Sequence, residues 1–136
     1  MTVKTTVKLG DATLRESTDW FAQDNDGAVW QLGREECQYE GASCVDTGLS
    51  WDWGGGDERP GIVLPARPDP AAGPFYLAFH DDVIEDVGEV VSTSEIVSVP
   101  DAEYNDCVQI HRTSKLDEGV SFMKYYCQIV GLTLIV

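Results

Sequence analysis

The sequence predicts an all-β fold, built as a single antiparallel β-barrel or, as the alternative, as a two-sheet β-sandwich, with little helix. Apolar and polar residues alternate with the two-residue period of a β-strand along much of the chain. Glycine, proline and aspartate clusters punctuate these segments. No run of good helix formers carries an apolar stripe at the helical period. At 136 residues the chain has the length of one domain, which we expect to span residues 1–136.

Seven segments have the alternation expected of strands. The first, residues 2–9, places its valines on one face and its lysines on the other. The same pattern, rich in β-branched and aromatic residues, recurs in segments 14–23, 28–32, 83–99, 104–112, 120–128 and 132–136. Loops are expected at 49–58, which holds a triple glycine, and at 65–74, which holds four of the six prolines. The best helical candidate is segment 81–87, although its valines and the following glycine weaken helix formation.

A tight turn is predicted at residues 24–27, Asp-Asn-Asp-Gly, between the second and third segments. These residue types tolerate the positive φ that short hairpins require. With the turn centred on its two middle residues, Phe21 is expected to face Trp30 across the hairpin, with Trp20 on the opposite side of the sheet. A calcium loop would need further oxygen ligands ending in a bidentate carboxylate, and the residues after Gly27 supply none.

Four cysteines form two pairs with the spacing of cross-strand disulfides. A turn between the members of each pair would bring Cys37 opposite Cys44 and Cys107 opposite Cys127. We therefore expect two disulfides and an oxidising compartment, while buried free thiols stay open as the alternative. No metal site is expected, because neither pair has the Cys-x-x-Cys spacing and the chain has two histidines.

The chain is strongly acidic, with a formal net charge of −15 at pH 7. Such a field repels phosphate backbones, so nucleic acid is not an expected partner. No run of about 18 apolar residues is present, so no membrane span is expected. Residues 1–11 lack the apolar stretch of an export signal. The protein is therefore expected in the cytoplasm if the chain is complete. If a signal peptide has been removed and the disulfides form, an extracellular or cell-envelope location is expected.

Residues 19–24, DWFAQD, followed by Gly27, Val29, Trp30 and Gly33, resemble the D-W-Y-A-Q-D-x-x-G-N-V-W-Y-x-G-E signature of an uncharacterised family of bacterial secreted proteins and lipoproteins. Segments 60–63, 99–107 and 124–132 resemble the later motifs of that family in the same order, so the resemblance covers most of the chain from about residue 14 onward. It implies a secreted or envelope location and no established activity. Departures at residues 28, 31–32 and 127–129 alter the aromatic pattern and one turn, which is typical of a member recruited to a new ligand.

Motifs of common catalytic mechanisms are absent from the sequence. It has no Gly-x-Ser-x-Gly elbow, phosphate-binding glycine loop or dinucleotide fingerprint, so nucleophilic hydrolysis and a cofactor are not expected. The four tryptophans, five tyrosines and four phenylalanines instead predict an aromatic-lined cavity that binds an apolar small molecule. Its predicted substrate-binding residues are Phe21, Trp30, Trp51, Trp53, Tyr104 and Phe122.

Such a cavity can catalyse a reaction without a nucleophile, because it can hold a flexible molecule in a reactive conformation. His80, beside two aspartates, is the candidate acid or base, and Tyr76 and Tyr125 are candidate hydrogen-bond donors to a carbonyl group. The first hypothesis is therefore a cofactor-independent cyclase or isomerase, similar to a pericyclase, acting on an apolar biosynthetic intermediate such as a polyketide. The alternative is a secreted or envelope-anchored binding protein without catalytic activity. A third hypothesis is an acidic interaction module for a basic protein. The oligomeric state stays open.

Overall fold

The computed structural model describes residues 1–54, 56 and 58–136. Every regular element in these residues is a β-strand, so the predicted all-β class is confirmed. The strands are β1 (Thr2–Leu9), β2 (Ala12–Gln23), β3 (Val29–Glu40), β4 (Ser43–Asp46), β5 (Trp51–Asp52), β6 (Gly61–Leu64), β7 (Phe75–His80), β8 (Ile84–Val99), β9 (Ala102–Ser114), β10 (Ser121–Cys127) and β11 (Gly131–Ile135).

The described strands form two curled antiparallel sheets. The first sheet has the order β1-β2-β3-β4, and β5 and β6 also pair with β3. The long strand β3 therefore has three short partners along one edge: β4 beside residues 37–40, β5 beside 33–34 and β6 beside 29–31. The second sheet has the order β11-β10-β9-β8-β7, and one of the two sheets curls into a half-barrel. Each strand thus belongs to one of two sheets. The sequence predicted either one barrel or a two-sheet sandwich.

The chain passes from the first sheet to the second through a close backbone contact between β6 and β7. The amide of Arg59 donates a hydrogen bond to the carbonyl of Phe79 at 3.0 Å. A Cβ atom at Gly61 would lie 1.7 Å from the carbonyl oxygen of Leu77, far inside van der Waals contact. Glycine at position 61 therefore allows β6 of the first sheet to contact β7 of the second sheet.

Two apolar clusters form the core. In the first, Val90, Ile110 and Tyr126 of the second sheet are buried, and Val63 and Leu64 of β6 pack against them. The second cluster lies in the far half of the β8–β9 hairpin and has Val97, Cys107 and Cys127 as its buried members. Between these clusters the β8–β9 register shifts three times. Such bulges bend a strand, and this bending accounts for the curl of the second sheet.

Both predicted disulfides are present. The Cα atoms of Cys37 and Cys44 lie 5.4 Å apart, and those of Cys107 and Cys127 lie 4.3 Å apart. All four cysteines are bonded, so the alternative of free thiols does not apply. The two disulfides are compatible with an oxidising, extracellular location.

The turn at residues 24–27 joins β2 to β3, as predicted. A carboxylate oxygen of Asp24 accepts the amide hydrogens of Asp26, Gly27 and Ala28 at 2.9–3.0 Å, and its other oxygen accepts the indole N–H of Trp30 at 2.8 Å. The hydrogen bond from Trp30, with help from these amides, lowers the pKa of Asp24, although burial acts in the opposite direction. Asp24 therefore organises the turn through its own side chain.

One local prediction was wrong. Trp30 faces Ala22 across the hairpin, not Phe21, because Gln23 pairs with Val29 and leaves a loop of five residues where a two-residue turn was expected. Segment 81–87, the weak helical candidate, forms no helix, and the expected strand 83–99 is present as β8. Residues 81–83 form a turn and β8 begins at Ile84, because the valines and isoleucine there pair readily in a sheet.

We predict that the two disulfides stabilise the fold unequally. The Cys107–Cys127 bond closes a longer loop, with a sequence separation of 20 against 7 for Cys37–Cys44, and it lies in the core. Replacing Cys107 and Cys127 by alanine should lower the free energy of unfolding by about 3 kcal/mol, and replacing Cys37 and Cys44 by about 2 kcal/mol. Chemical denaturation of the two double variants measures this difference. Equal losses, or the reverse order, would contradict it.

Candidate functional site

The three predicted catalytic residues have separate partners. The hydroxyl of Tyr76, on β7, accepts a hydrogen bond from the amine of Lys115 at 2.5 Å. The hydroxyl of Tyr125, on β10, accepts one from the side-chain amide of Gln109 at 2.7 Å. Nε2 of His80 lies 3.7 Å from a carboxylate oxygen of Glu58, while its buried Nδ1 has no partner among the described residues. The described contacts do not join these three side chains in one constellation.

The predicted aromatic residues also lie on different parts of the surface and core. Trp53 and Phe122 are exposed, with 56% and 41% of their surface accessible. Tyr104 packs against the Cys107–Cys127 cluster, and the Trp30 indole is bonded to the hairpin turn. Phe21 is half-buried on β2. Trp51, which is 4% exposed, lines a groove, so it is the predicted residue with the clearest relation to a binding site.

The side of β2 and β3 that faces the second sheet carries buried charges. Asp19 and Arg34 are direct neighbours across β2 and β3, so their side chains project to the same face. The Arg34 guanidinium donates two hydrogen bonds to the Asp19 carboxylate, at 2.7 and 3.3 Å, and Gln31 donates a third at 2.7 Å. Arg34 also lies 3.5 Å from Glu36. Asp19 and Glu36 are both buried, which is tolerated because they are paired.

The second sheet contributes a matching pair. Arg112 of β9 donates a hydrogen bond to the buried carboxylate of Asp86 on β8. Burial acts to lower the pKa of Arg34, but Asp19 and then Glu36 and Asp86 outweigh it and raise that pKa. Asp86 of one sheet therefore acts on Arg34 of the other. We refer to six side chains of the two sheets as the charge cluster: Asp19, Arg34, Glu36, Asp86, Arg112 and Lys124.

Lys124, on β10, is the least compensated member of the charge cluster. Burial, followed by the positive charges of Arg112 and Arg34, lowers the pKa of its amine to about 8, although Asp86 and Asp19 act in the opposite direction. Among the described residues its amine has neither an ion pair nor a hydrogen bond. The folded state therefore disfavours the protonated form of Lys124.

A groove with a volume of about 600 Å³ opens over β3. We call it the β3 groove. Short strands β4 and β5 form one side of it, and the Cys37–Cys44 disulfide fixes that side to β3. Five carboxylates and one guanidinium line the groove, so its surface is acidic. The lining residues are Glu16, Ser17, Thr18, Trp20, Arg34, Glu35, Glu36, Cys37, Cys44, Asp46, Ser50, Trp51 and Asp52.

Gly33 is buried where β3 meets β5, next to the β3 groove. It pairs with Trp20 of β2 on one side and with Asp52 of β5 on the other, so these three residues form one row across the sheet. A Cβ atom at position 33 would lie 2.9 Å from the carbonyl oxygen of Trp51 and 3.4 Å from the Trp20 ring. The missing side chain therefore admits β5 close to β3 and lets the Trp20 ring pack against the backbone.

Three of the five groove carboxylates already accept hydrogen bonds from the backbone or side chains of the protein. Glu16 accepts a hydrogen bond from Tyr39, Glu36 accepts one from Thr47 besides its ion pair with Arg34, and Asp46 accepts one from the amide of Gly48. Within the described residues, the exposed carboxylates of Glu35 and Asp52 have no such partner. The buried indole N–H of Trp51 also has no acceptor there.

A second groove, of about 450 Å³, lies at the end of β7 and is lined by Gly56, Glu58, Arg59, Phe79 and Asp81. Close by, Asp81, Asp82 and Glu85 bring carboxylate oxygens within 4.8 Å of one another. Asp81 and Asp82 are exposed, and acidic groups at this spacing are common on surfaces without an ion. This groove shares none of its lining residues with the β3 groove.

Comparisons of the chain with protein-family models, with curated proteins and with solved structures find no match. The resemblance of residues 19–33 to a bacterial secreted family therefore stays a prediction. Among the described residues there is no helix with the length and apolar character needed to cross a membrane.

The charge cluster and most of the β3 groove are not among the features that the sequence predicts. The sequence signal for the charge cluster is a charged residue at an inward position of an alternating strand. Asp19 in β2 and Lys124 in β10 are two such residues. The apolar residues of β2 define its alternation, and they do not reveal that Asp19 points toward the second sheet.

We predict that Lys124 destabilises the fold at neutral pH. Its pKa falls from 10.5 in the unfolded chain to about 8 in the folded protein, so its contribution to stability should rise as the pH rises from 8 to 10.5. Lys124→Met should raise the free energy of unfolding at pH 7 by about 1–2 kcal/mol, after allowance for solvent screening. Denaturation at pH 7, 8, 9 and 10 measures both effects. A variant that is less stable at pH 7, or that keeps the wild-type rise with pH, would count against this account.

Proposed function

We propose that this protein binds a small organic molecule non-covalently in the β3 groove and does not convert it chemically. The volume of about 600 Å³ lies in the range of small-molecule sites. Two indoles contribute apolar surface there, and carboxylates and the Trp51 N–H supply polar groups. The observation that carries the proposal is Trp51, a nearly fully buried side chain of the groove whose N–H donor has no acceptor among the described residues. Buried donors normally have a partner, and a bound molecule can supply one.

The scaffold around the groove supports binding by a rigid site. The Cys37–Cys44 disulfide holds one side, and the buried Asp19–Arg34 pair lies directly beneath β3. Rigid sites lose little entropy when a ligand binds, so they favour affinity. The disulfides and the resemblance to a secreted bacterial family both support a location outside the cytoplasm, as an extracellular or envelope-anchored binding protein.

Binding accounts for the geometry better than cyclisation does. A cyclase of the predicted kind would gather the aromatic rings and His80, Tyr76 and Tyr125 around one enclosed cavity. These three side chains instead have separate partners. A binding protein requires the β3 groove alone, and for that reason we propose binding without catalysis.

The proposal predicts that filling the β3 groove abolishes ligand binding. Thr18 is half-buried and lines the groove, opposite Glu35, so Thr18→Trp should weaken the binding of groove ligands at least tenfold while the sheet tolerates the new ring. The probes are three small phenols that differ in charge: tyramine, tyrosol and 4-hydroxyphenylacetate. Amide chemical shifts in the protein NMR spectrum would report which of them binds, and where.

Thr113→Trp is the matched control, because Thr113 is half-buried on β9 and lies outside the β3 groove. It should leave binding unchanged. The proposal fails if none of the three probes shifts the groove amides, or if Thr18→Trp binds a probe as well as the wild-type protein does.

A further inference from the structure

We propose that Lys124 forms a reversible imine with small uncharged aldehydes at the open margin of the space between the two sheets. In this reaction the amine nitrogen bonds to the carbonyl carbon, the carbonyl oxygen leaves as water, and a C=N double bond remains. Lys124 does not line the β3 groove. The inference is therefore independent of the proposed binding function and adds a second, covalent site.

Lys124 lies where a row of side chains passes from the core to solvent. Strand register places four residues side by side on one face of β8 to β11, in the order Val90, Ile110, Lys124 and Ile135. The first two are buried, Lys124 is half-buried, and Ile135 is 52% exposed. A small molecule can therefore reach the amine from the β11 side of the second sheet.

The surroundings of the Lys124 amine favour its neutral, nucleophilic form. The nearby carboxylates are already paired, Asp86 with Arg112 and Asp19 with Arg34, and the amine has no partner of its own among the described residues. Burial, followed by the charges of the two arginines, lowers the pKa of the amine to about 8, although the two aspartates act in the opposite direction. Amines that are desolvated beside cationic groups are activated toward carbonyl compounds.

Tyr126 supplies a proton donor beside this amine. It follows Lys124 by two positions on β10, so its side chain projects to the same face, with the two Cα atoms roughly 7 Å apart. Burial raises the pKa of the Tyr126 hydroxyl to about 12, although Arg112 acts in the opposite direction. The hydroxyl therefore stays protonated at neutral pH and can donate a hydrogen bond to the oxygen of a carbonyl group.

Apolar neighbours of Lys124 indicate which aldehydes it takes. Phe122 precedes Lys124 by two positions on the same face and is 41% exposed, and Ile135 lies beside Lys124 on β11. An alkyl chain attached to the carbonyl group would bury apolar surface against these two side chains. The formal net charge of −15 disfavours the approach of an anionic aldehyde. The expected class is therefore a small apolar aldehyde without charge.

Reductive alkylation with butanal tests the site. Sodium cyanoborohydride delivers hydride to the imine carbon and leaves a stable secondary amine, which peptide mass spectrometry assigns to individual lysines. The chain has three other lysines, Lys4, Lys8 and Lys115, and all three are exposed. At pH 7, Lys124 should be alkylated at least about tenfold faster than each of them, because a larger fraction of its amine is neutral. Equal or slower alkylation of Lys124 would overturn the proposal.

The pH profile separates an activated amine from one that is only accessible. The rate at Lys124 should level off above about pH 8. The rate at Lys115 should still rise at pH 10, because the hydrogen bond with Tyr76 raises the pKa of Lys115. Parallel profiles for the two lysines would contradict the activation of Lys124 by its surroundings.

A charged probe and an unfolded control complete the test. The anion 4-oxobutanoate carries a carboxylate in place of the terminal methyl group of butanal. The ratio of alkylation at Lys124 to that at Lys115 should be at least about threefold higher with butanal, and an equal ratio would overturn the uncharged class. In urea the preference for Lys124 should disappear, and a preference that survives unfolding would show that the fold does not create it.

Two lysine variants locate the reaction. Lys124→Met should remove the fast phase of alkylation, whereas Lys8→Met, at an exposed position of β1, should leave the fast phase unchanged. Melting temperatures check that both variants fold. A fast phase that persists in Lys124→Met would place the reactive amine elsewhere and refute the proposal.

Discussion

The need to pair buried charges shapes the space between the two sheets. Asp19, Glu36 and Asp86 are each less than a tenth exposed, and an unpaired carboxylate at such positions would strongly destabilise the fold. Arg34 and Arg112 supply the compensating charges, each within its own sheet. Asp86 also helps to raise the pKa of Arg34 across the gap, so we expect the two ion pairs to restrict how one sheet can slide over the other. An apolar interface alone would define the relative position of the two sheets less tightly.

Strand β3 connects this constraint to the binding site. Arg34 and Glu36 belong to the charge cluster, and both also line the β3 groove together with Glu35. Its edge pairs with three short strands, and their separate positions leave the gap that becomes the groove. A fixed β3 therefore fixes the groove as well. This link between buried ion pairs and an open site is the structural basis for proposing binding by a rigid groove.

The sequence predicted those features that depend on residues close together in the chain. The first strand, the turn at residues 24–27 and both disulfides follow from local alternation, turn residues and cysteine spacing. The predicted third strand ended at Leu32, whereas β3 continues to Glu40, because charged residues occupy inward positions beyond Gly33 and break the apolar pattern. The Arg34–Asp19 and Arg112–Asp86 pairs join positions 15 and 26 residues apart. No local pattern reveals such pairs, so the charge cluster and the groove above it could not be predicted.

The most direct test of this account is a double-mutant cycle between the sheets, with Arg34→Met and Asp86→Asn made singly and together. If the two ion pairs form one cluster, removing both side chains should cost less than the sum of the single losses. The expected difference is at least about 0.5 kcal/mol in the free energy of unfolding. Additive losses would show that the pairs act independently. The sheets would then owe their relative position to apolar packing alone, and the charge cluster would not hold β3 or its groove in place.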